Sequence, residues 1–454
     1  MNGTTVLLCS RVLGDATVQL GASGMVIHDL CARPRAAAAA VREADASCVV
    51  LGLCERRPTG ELVAALRRAG AAPFGIQTIM LAGRGPDEAT RLVAGARARL
   101  DALLPGERGR PTVNGGAISR RSLFSLGGAL TQARIAALDE TVCVGSSGCG
   151  LCVGRCPADA IAAIAPVPTV DPGTCTACGV CVPACPHGAL RLSGSATAQI
   201  ESQLEQLVSG VNGIVFSCEA ADADPPPGWL LVELPTLALL TAGWILQLRA
   251  RNIGVRLAPC RNACCAGAPA VGEFADRLLR EHGAPRDTPS GPIRLTEPRA
   301  TVEAIRHLVR PGSTAVVKGE KSPLGLVALN PERCTLCGTC MTTCPTEALR
   351  LDEAGEKTVL RLRADACIGC GQCATACPER ALDVHPGVDL GRLRQDTVEL
   401  ASARRETCNV CGADLLPRPM RRRLRELLPE LSGTPLELCA RCATRAATPE
   451  VVAG

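Results

Sequence analysis

The spacing of the cysteines constrains this chain more than any other feature. Of 454 residues 28 are cysteine, and most stand in tight groups at two-residue intervals rather than as dispersed pairs. Four groups end in Cys-Pro, at 156–157, 185–186, 344–345 and 377–378. Thiols this close suit convergence on a metal centre better than cross-linking of distant loops. With two Trp, four Phe and no Tyr, the chain lacks the aromatics that normally dominate core burial, so metal centres are expected to tie it together. Residues 1–10 have no basic leader and run into an apolar, strand-like segment, which gives the expectation of a reducing, cytoplasmic setting.

At about 150 residues per domain the length suggests roughly three domains. Charged residues are 20% of the chain, apolar residues 47%, and the formal charge is +5. That balance offers no basis for bulk electrostatic binding of nucleic acid. Only Lys318, Lys321 and Lys357 are lysines, so the arginine bias reads as compositional. Residues 229–248 are apolar enough to consider as a membrane span, but Glu233, Pro235 and Gln247 interrupt them. The cleanest run, 234–248, falls short of the ~20 residues a bilayer requires, so a buried helix is expected. The stretch 119–124, Ser-Arg-Arg-Ser-Leu-Phe, resembles a twin-arginine export signal but lies far from the chain start and reads as linker.

Periodicity predicts a multidomain α+β chain. Residues 1–100 alternate strands (5–8, 48–53, 74–81) with helices (35–44, 61–69), as a small α/β domain does. Residues 101–140 read as a linker with one helix, 141–193 as a cysteine-dense module, and 196–310 as a second α/β domain. In the latter, strands are expected at 213–217, 230–234 and 255–258, helices at 236–251 and 271–281, and a Pro-rich loop at 283–298. A second dense module covers 326–386, and a smaller cysteine unit 405–445. Each dense module is internally duplicated: Cys152/Cys181 and Cys156/Cys185 share an offset of 29, Cys337/Cys370 and Cys344/Cys377 one of 33.

The second module reads Cys334-x2-Cys337-x2-Cys340-x3-Cys344-Pro345, then Cys367-x2-Cys370-x2-Cys373-x3-Cys377-Pro378. It resembles the bacterial-type ferredoxins with two [4Fe–4S] clusters, in which the fourth cysteine of each run ligates the other cluster. The resemblance implies one cluster on Cys334, Cys337, Cys340 and Cys377, and another on Cys367, Cys370, Cys373 and Cys344. Zinc would explain neither the third cysteine nor the proline. The first module holds a complete run, Cys175, Cys178, Cys181, Cys185-Pro186, and a departing one, Cys149-x2-Cys152-x3-Cys156-Pro157. There the expected first cysteine is Ser146 and the nearest upstream thiol is Cys143. Either a three-residue insertion brings Cys143 in, the reading taken here, or a protein ligand is lost and the cluster is a three-iron or labile one. The implied sets are Cys143, Cys149, Cys152 and Cys185, and Cys175, Cys178, Cys181 and Cys156.

In the tail, Cys408-x2-Cys411-Gly412 and Cys439-x2-Cys442 form two pairs suited to one tetrahedral, zinc-ribbon-like site; a further iron site is the alternative. Between them Arg418, Arg421, Arg422, Arg423 and Arg425 form a basic helical stretch, read as a solvated or docking face rather than a nucleic-acid contact.

The N-terminal segments Leu8-Cys9, Leu30-Cys31-Ala32-Arg33-Pro34, Val50-Leu51-Gly52-Leu53-Cys54 and Ala69-Gly70-Ala71-Ala72-Pro73-Phe74 resemble the N-terminal domain of the heterodisulfide reductase A-subunit. That implies a further cluster on Cys9, Cys31 and Cys54, with Cys48 merely buried; ordinary buried thiols are the plain alternative. Gly213-Ile214-Val215-Phe216-Ser217-Cys218, Val232-Glu233-Leu234-Pro235 and Ala258-Pro259-Cys260-Arg261-Asn262-Ala263-Cys264-Cys265 resemble the delta (iron–sulfur) subunit of methyl-viologen-reducing hydrogenases. That family has further cysteines where this chain holds Glu219-Ala220 and Thr236, leaving Cys218, Cys260, Cys264 and Cys265 for one cluster, or a docking domain without one.

No Gly-x-Gly-x-x-Gly turn and no Walker A run occur, and the five histidines are scattered. The expectation is a cytoplasmic multi-cluster electron carrier, not catalytic alone, with four [4Fe–4S] clusters, one or two further Fe–S clusters and one zinc. It would serve other redox subunits of flavoprotein, hydrogenase or disulfide-reductase type, without nucleic acid or membrane. The rivals are a reductase with its own Fe–S site and an Fe–S redox-sensing regulator.

Overall fold

The computed structural model describes residues 3–13, 24–54, 58, 60–108, 134–145, 148–163, 166–219, 221, 223–261, 263–284, 292–295, 297–354, 356–428 and 435–447. The architecture is multidomain α+β and falls into two compact units, one of residues 1–143, 152–272 and 287–300, the other of 144–151, 273–286 and 301–454. The 119–124 stretch and Ser146 lie outside the described residues.

The first unit contains a four-stranded parallel sheet, order β2-β1-β3-β4, from β1 (Thr4–Cys9), β2 (Gly24–Ile27), β3 (Cys48–Leu53) and β4 (Ile76–Met80). Every residue of β1 and β3 is buried, which is why both read as unbroken apolar runs. Leu7, Leu51 and Leu53 are fully buried, each worth about 1.5–3 kcal/mol of transfer free energy. Helices Pro34–Glu43 and Gly60–Ala69 pack on each other. Sequence periodicity misses β2, a short, partly exposed edge strand, and helix Pro86–Asp101, whose Ala/Arg face is only weakly apolar. That helix packs on helix Thr197–Leu207.

The first cysteine-dense segment adds β5 (Ala136–Leu138), β6 (Ile161–Ala162), β7 (Thr169–Val170) and β8 (Leu190–Leu192), with β5 antiparallel to β8 and β6 to β7. A parallel sheet of order β10-β9-β11 follows, from β9 (Gly213–Cys218), β10 (Trp229–Leu234) and β11 (Gly254–Leu257). The single helix expected over 236–251 is instead a 3-10 turn, Leu237–Leu239, then helix Ala242–Ala250. The hydroxyls of Thr236 and Thr241 accept from the N–H groups of Ala238 and Trp244, so each starts its own turn. The 229–248 stretch is thus a strand, a turn and a buried nine-residue helix. Among the described residues no helix is long and apolar enough to cross a membrane.

The second unit is built on antiparallel sheets of order β12-β16-β13 and β14-β15-β17. These are β12 (Val316–Lys318), β13 (Gly325–Leu329), β14 (Leu349–Ala354), β15 (Lys357–Leu362), β16 (Leu382–Asp389) and β17 (Val398–Arg404). Their inner residues, Val327, Leu349, Leu360 and Leu362 among them, share one core with Cys340, Cys367 and Cys373. A helix the periodicity does not mark, Pro298–Leu308, precedes β12. The basic stretch is helix Arg418–Leu427, and much of its charge is internally paired: Arg418 and Arg421 to Glu406, Arg423 to Glu379 and Glu426.

Candidate metal centres

One backbone device recurs four times in the cysteine-dense segments. Ahead of each cysteine loop a backbone N–H donates to the carbonyl of an alanine beyond a different Cys-Pro: Asp139 to Ala189, Asp171 to Ala160, Asn330 to Ala381 and Arg363 to Ala348, at 2.7–2.8 Å. Each of those alanines donates its own N–H to the sulfur four residues earlier. The pairs are Ala160 to Cys156, Ala189 to Cys185, Ala348 to Cys344 and Ala381 to Cys377, at 3.2–3.3 Å. The residue just before each alanine (Asp159, Gly188, Glu347, Arg380) has φ between 49° and 66°. Non-glycine residues seldom adopt that conformation, and here it turns the next N–H onto the sulfur.

A second left-handed residue precedes the second cysteine of each run: Gly148, Ala177, Leu336 and Gly369. Three of the four first cysteines share a turn as well. Cys175 and Cys334 donate their N–H to the carbonyl of an Asx residue four positions back, Asp171 and Asn330, whose side-chain oxygen accepts from the N–H two residues on. Cys143 does the same to Asp139, 3.1 Å, and Asp139 Oδ1 accepts from Thr141 N. Cys143 therefore occupies the first-cysteine turn, and the Asp139–Ala189 bond sets its strand beside the one that follows Cys185. An Asp or Asn four residues before the first cysteine is the sequence signal that finds this turn.

Three cavities are each lined by four cysteines. One takes Cys334, Cys337, Cys340 and Cys377, another Cys344, Cys367, Cys370 and Cys373, and the third Cys156, Cys175, Cys178 and Cys181. Of the remaining expected set, Cys143, Cys152 and Cys185 belong to the first unit and Cys149 to the second. Burial, then neighbouring sulfurs, push Cys340 and Cys367 up to about 11 and Cys181 and Cys373 to about 12. Thiolates crowded into apolar pockets need a cationic group among them; with N–H groups turned onto the sulfurs, the pockets fit an iron–sulfur group. Gly325 makes room: a Cβ there would lie 2.4 Å from Gly369 Cα and 2.9 Å from Cys367 Sγ.

Three further sulfur groups converge within 4.8 Å. Cys9 ends β1, Cys54 follows β3 and Cys31 lies in the turn Leu30–Ala32, so the C-terminal ends of adjacent parallel strands gather them. Cys54 Sγ is 3.7 Å from Cys9 Sγ and 3.4 Å from Cys31 Sγ. Burial and the two neighbouring thiols push Cys54 up to about 12. Burial also raises Cys9, but the Arg11 N–H, the Cys54 thiol and the N–H groups of Leu30 and Cys31 outweigh it and leave it low. Cys48, the one other cysteine in residues 1–100, sits fully buried at the opposite end of β3 beside Ser47.

The second group is Cys218, Cys260 and Cys265; the side chain of Cys264 lies outside the described residues. Cys218 and Cys260 sulfurs are 3.0 Å apart, and Leu237 N donates to Cys265 Sγ at 3.3 Å. Thr236, standing where the hydrogenase resemblance has a cysteine, places Oγ1 3.7 Å from Cys265 Sγ. Its methyl also meets the first module: a Cβ on Gly179 (φ 77°), next to Cys178, would lie 2.7 Å from Thr236 Cγ2. The third group, Cys408, Cys411, Cys439 and Cys442, is a complete four-thiol set. Backbone N–H groups, the Cys439 N–H at 3.3 Å foremost, lower Cys408 to about 6, while hydrogen bonding by neighbouring thiols pushes Cys442 up to about 12.

The histidines are not all isolated: His28 Nδ1 lies 3.0 Å from Ser10 Oγ, with Asp29 3.7 Å from Nε2. Asp29 is itself paired with Arg11, and the His28 and Arg11 side chains are exposed, so the His28–Ser10 contact opens to solvent beside the Cys9 group and is no shielded nucleophile–base pair.

Residues 333–381 match the family described as the 4Fe-4S dicluster domain, and residues 168–191 the 4Fe-4S binding domain. The chain carries ferredoxin-type iron–sulfur domains. No curated protein matches the chain. Several cysteine-rich metal-binding groups, one of four thiols and two of three, accompany those domains, and together they support a role in electron transfer.

Proposed function

We propose that this chain is a polyferredoxin-like electron relay and a subunit of a cytoplasmic oxidoreductase complex of the heterodisulfide-reductase/hydrogenase type. Its four cysteine quartets would hold four [4Fe–4S] clusters, assigned as the ferredoxin resemblance implies: Cys334/337/340/377, Cys367/370/373/344, Cys175/178/181/156 and Cys143/149/152/185. The dense modules would be ferredoxin-like dicluster domains at 141–193 and 326–386, flanked by docking domains at 1–100 and 196–310. The Cys9/31/54 and Cys218/260/264/265 groups would take further Fe–S clusters, and the tail at 405–445 one zinc.

The fourfold turn supports this reading most directly, because one backbone arrangement serves all four Cys-Pro sulfurs. When bound, a cubane takes up and releases one electron at a time. The protein's part is to hold it. Sulfurs converge, N–H groups compensate their charge, and Leu336, Leu360 and Leu382 exclude water around Cys334, Cys340 and Cys377. In the second module Cys340 and Cys373, from different quartets, share one core. In the first unit the Gly179–Thr236 approach brings Cys178's loop against Cys265's turn, a short route between two sulfur groups.

Low-temperature EPR of the anaerobically reduced full chain tests this. Spin-coupled spectra from neighbouring reduced clusters are expected, with no turnover of small disulfides by the isolated chain given a chemical donor. Magnetically isolated signals throughout would overturn the relay. Turnover by the isolated chain would make it a reductase, and cluster-dependent nucleic-acid binding a regulator.

A further inference from the structure

A cavity of about 300 Å³ in the first unit belongs to none of the sulfur groups. Arg99, from helix Pro86–Asp101, and Arg134, just before β5, both line it, with Phe74, Gln77, Thr78 and Gln199 on its walls. Arg99 is only 5% exposed. Its Nη1 donates to Gln203 Oε1 at 3.0 Å and to the Glu233 carbonyl at 2.7 Å. Its Nε and Nη2 have no hydrogen-bond partner among the described residues. Arg134 stacks on the Phe74 ring, 5.8 Å to the centroid, and gives Nη2 to Glu219. Its Nη1 is buried without a partner.

Buried donors left unpaired are costly, more so on a charged group. Here two guanidiniums line one cavity, Arg99 with two unpaired donors, and two carboxylates, Glu219 and Glu233, also line it. Glu219 is committed to Arg134 Nη2, and Arg99 takes the Glu233 backbone, not its carboxylate. Burial first and Arg134 second pull Arg99 down to about 10, with Glu219 and Glu233 opposing; an incoming anion would add to that opposition.

We propose that this cavity binds a small oxyanionic molecule, a carboxylate or phosphate, held by Arg99, with Arg134 supplying the second positive charge. Guanidinium edges match planar carboxylate and phosphate oxygens in pairs. The volume is at the lower end of ligand pockets, which suits a small metabolite and excludes a dinucleotide. The location gives binding a redox consequence. Glu219 directly follows Cys218, and two residues after Arg134 the Ala136 N–H donates to Cys175 Sγ at 3.5 Å. A bound anion would place negative charge beside both sulfur groups.

Isothermal titration calorimetry on the anaerobic, cluster-loaded full chain tests this with two probes, inorganic phosphate and succinate. One site per chain is expected for at least one probe, and the probe that binds identifies the oxyanion class. Arg134→Gln should weaken that binding at least tenfold, as should Arg99→Gln. Because Arg99 also ties its helix to Gln203 and Glu233, the partly exposed Arg134 keeps the test independent of folding. Absence of heat with both probes, or binding that Arg134→Gln leaves unchanged, would overturn the site.

Discussion

The ferredoxin-type segments and the three-sulfur group at Cys9, Cys31 and Cys54 assemble thiols in opposite ways. In the former, three cysteines of each proposed quartet come from one short loop and the fourth from its duplicate, and left-handed residues and turned N–H groups recur at matching positions. In the latter, sulfurs separated by 22 or 23 residues are gathered by the shared ends of β1 and β3, and among the described residues no fourth cysteine joins them. A loop-built site is written locally, so its chemistry travels with its spacing. A topology-built site exists only once the sheet has formed.

The largest expected effect separates the two kinds of site. Cys340→Ser should remove about four irons per chain from one cubane and leave iron on the other quartets, read by iron analysis of anaerobic protein. Unchanged iron would remove Cys340 from any site. Cys54→Ser should leave the ferredoxin-type EPR signals intact and remove only iron in excess of about sixteen atoms; Cys48→Ser should remove none. Loss of iron in Cys48→Ser would break the distinction between gathered and merely buried thiols.

The tail sharpens the comparison through pH. Each coordinating thiol must shed its proton, so metal is held more weakly as pH falls. Cys408 is already a thiolate at neutral pH and protonates near its depressed value of about 6. Affinity for zinc should therefore fall on acidification and fall more steeply below about pH 6, measured with a chromogenic chelator. A pH-independent affinity would contradict thiolate ligation.

Smaller effects probe the backbone. Gly179→Ala adds a Cβ at φ 77° and 2.7 Å from Thr236 Cγ2, and should destabilise the first unit by about 1–3 kcal/mol in chemical unfolding. Ala177→Gly should change stability by less than about 1 kcal/mol, in the stabilising direction, since left-handed strain is relieved while chain entropy rises. A large loss there would mean the Ala177 methyl is needed for packing.

Legibility follows the same division. Strands β1, β3 and β9 were readable because their residues are wholly buried and apolar, and the quartets because spacing is local. Helix Pro86–Asp101 was not, since its buried face is built of Ala, Gly and the methylenes of Arg99 as much as of leucine. Thr236 and Thr241 broke an expected helix by capping, a choice that apolar periodicity does not reveal. The place of Cys143 needed the Asp139 turn, visible in sequence only when its run is aligned with those of Cys175 and Cys334 on the Asx residue rather than on the cysteines. Arg99 and Arg134 carry no motif at all; the cavity between them exists only through packing.

Iron, acid-labile sulfide and zinc measured on anaerobically purified full-length protein address the central claim most directly. About sixteen irons and as many sulfides per chain are the minimum expected for four cubanes, with zinc near one. Colourless protein free of acid-labile sulfide would contradict it.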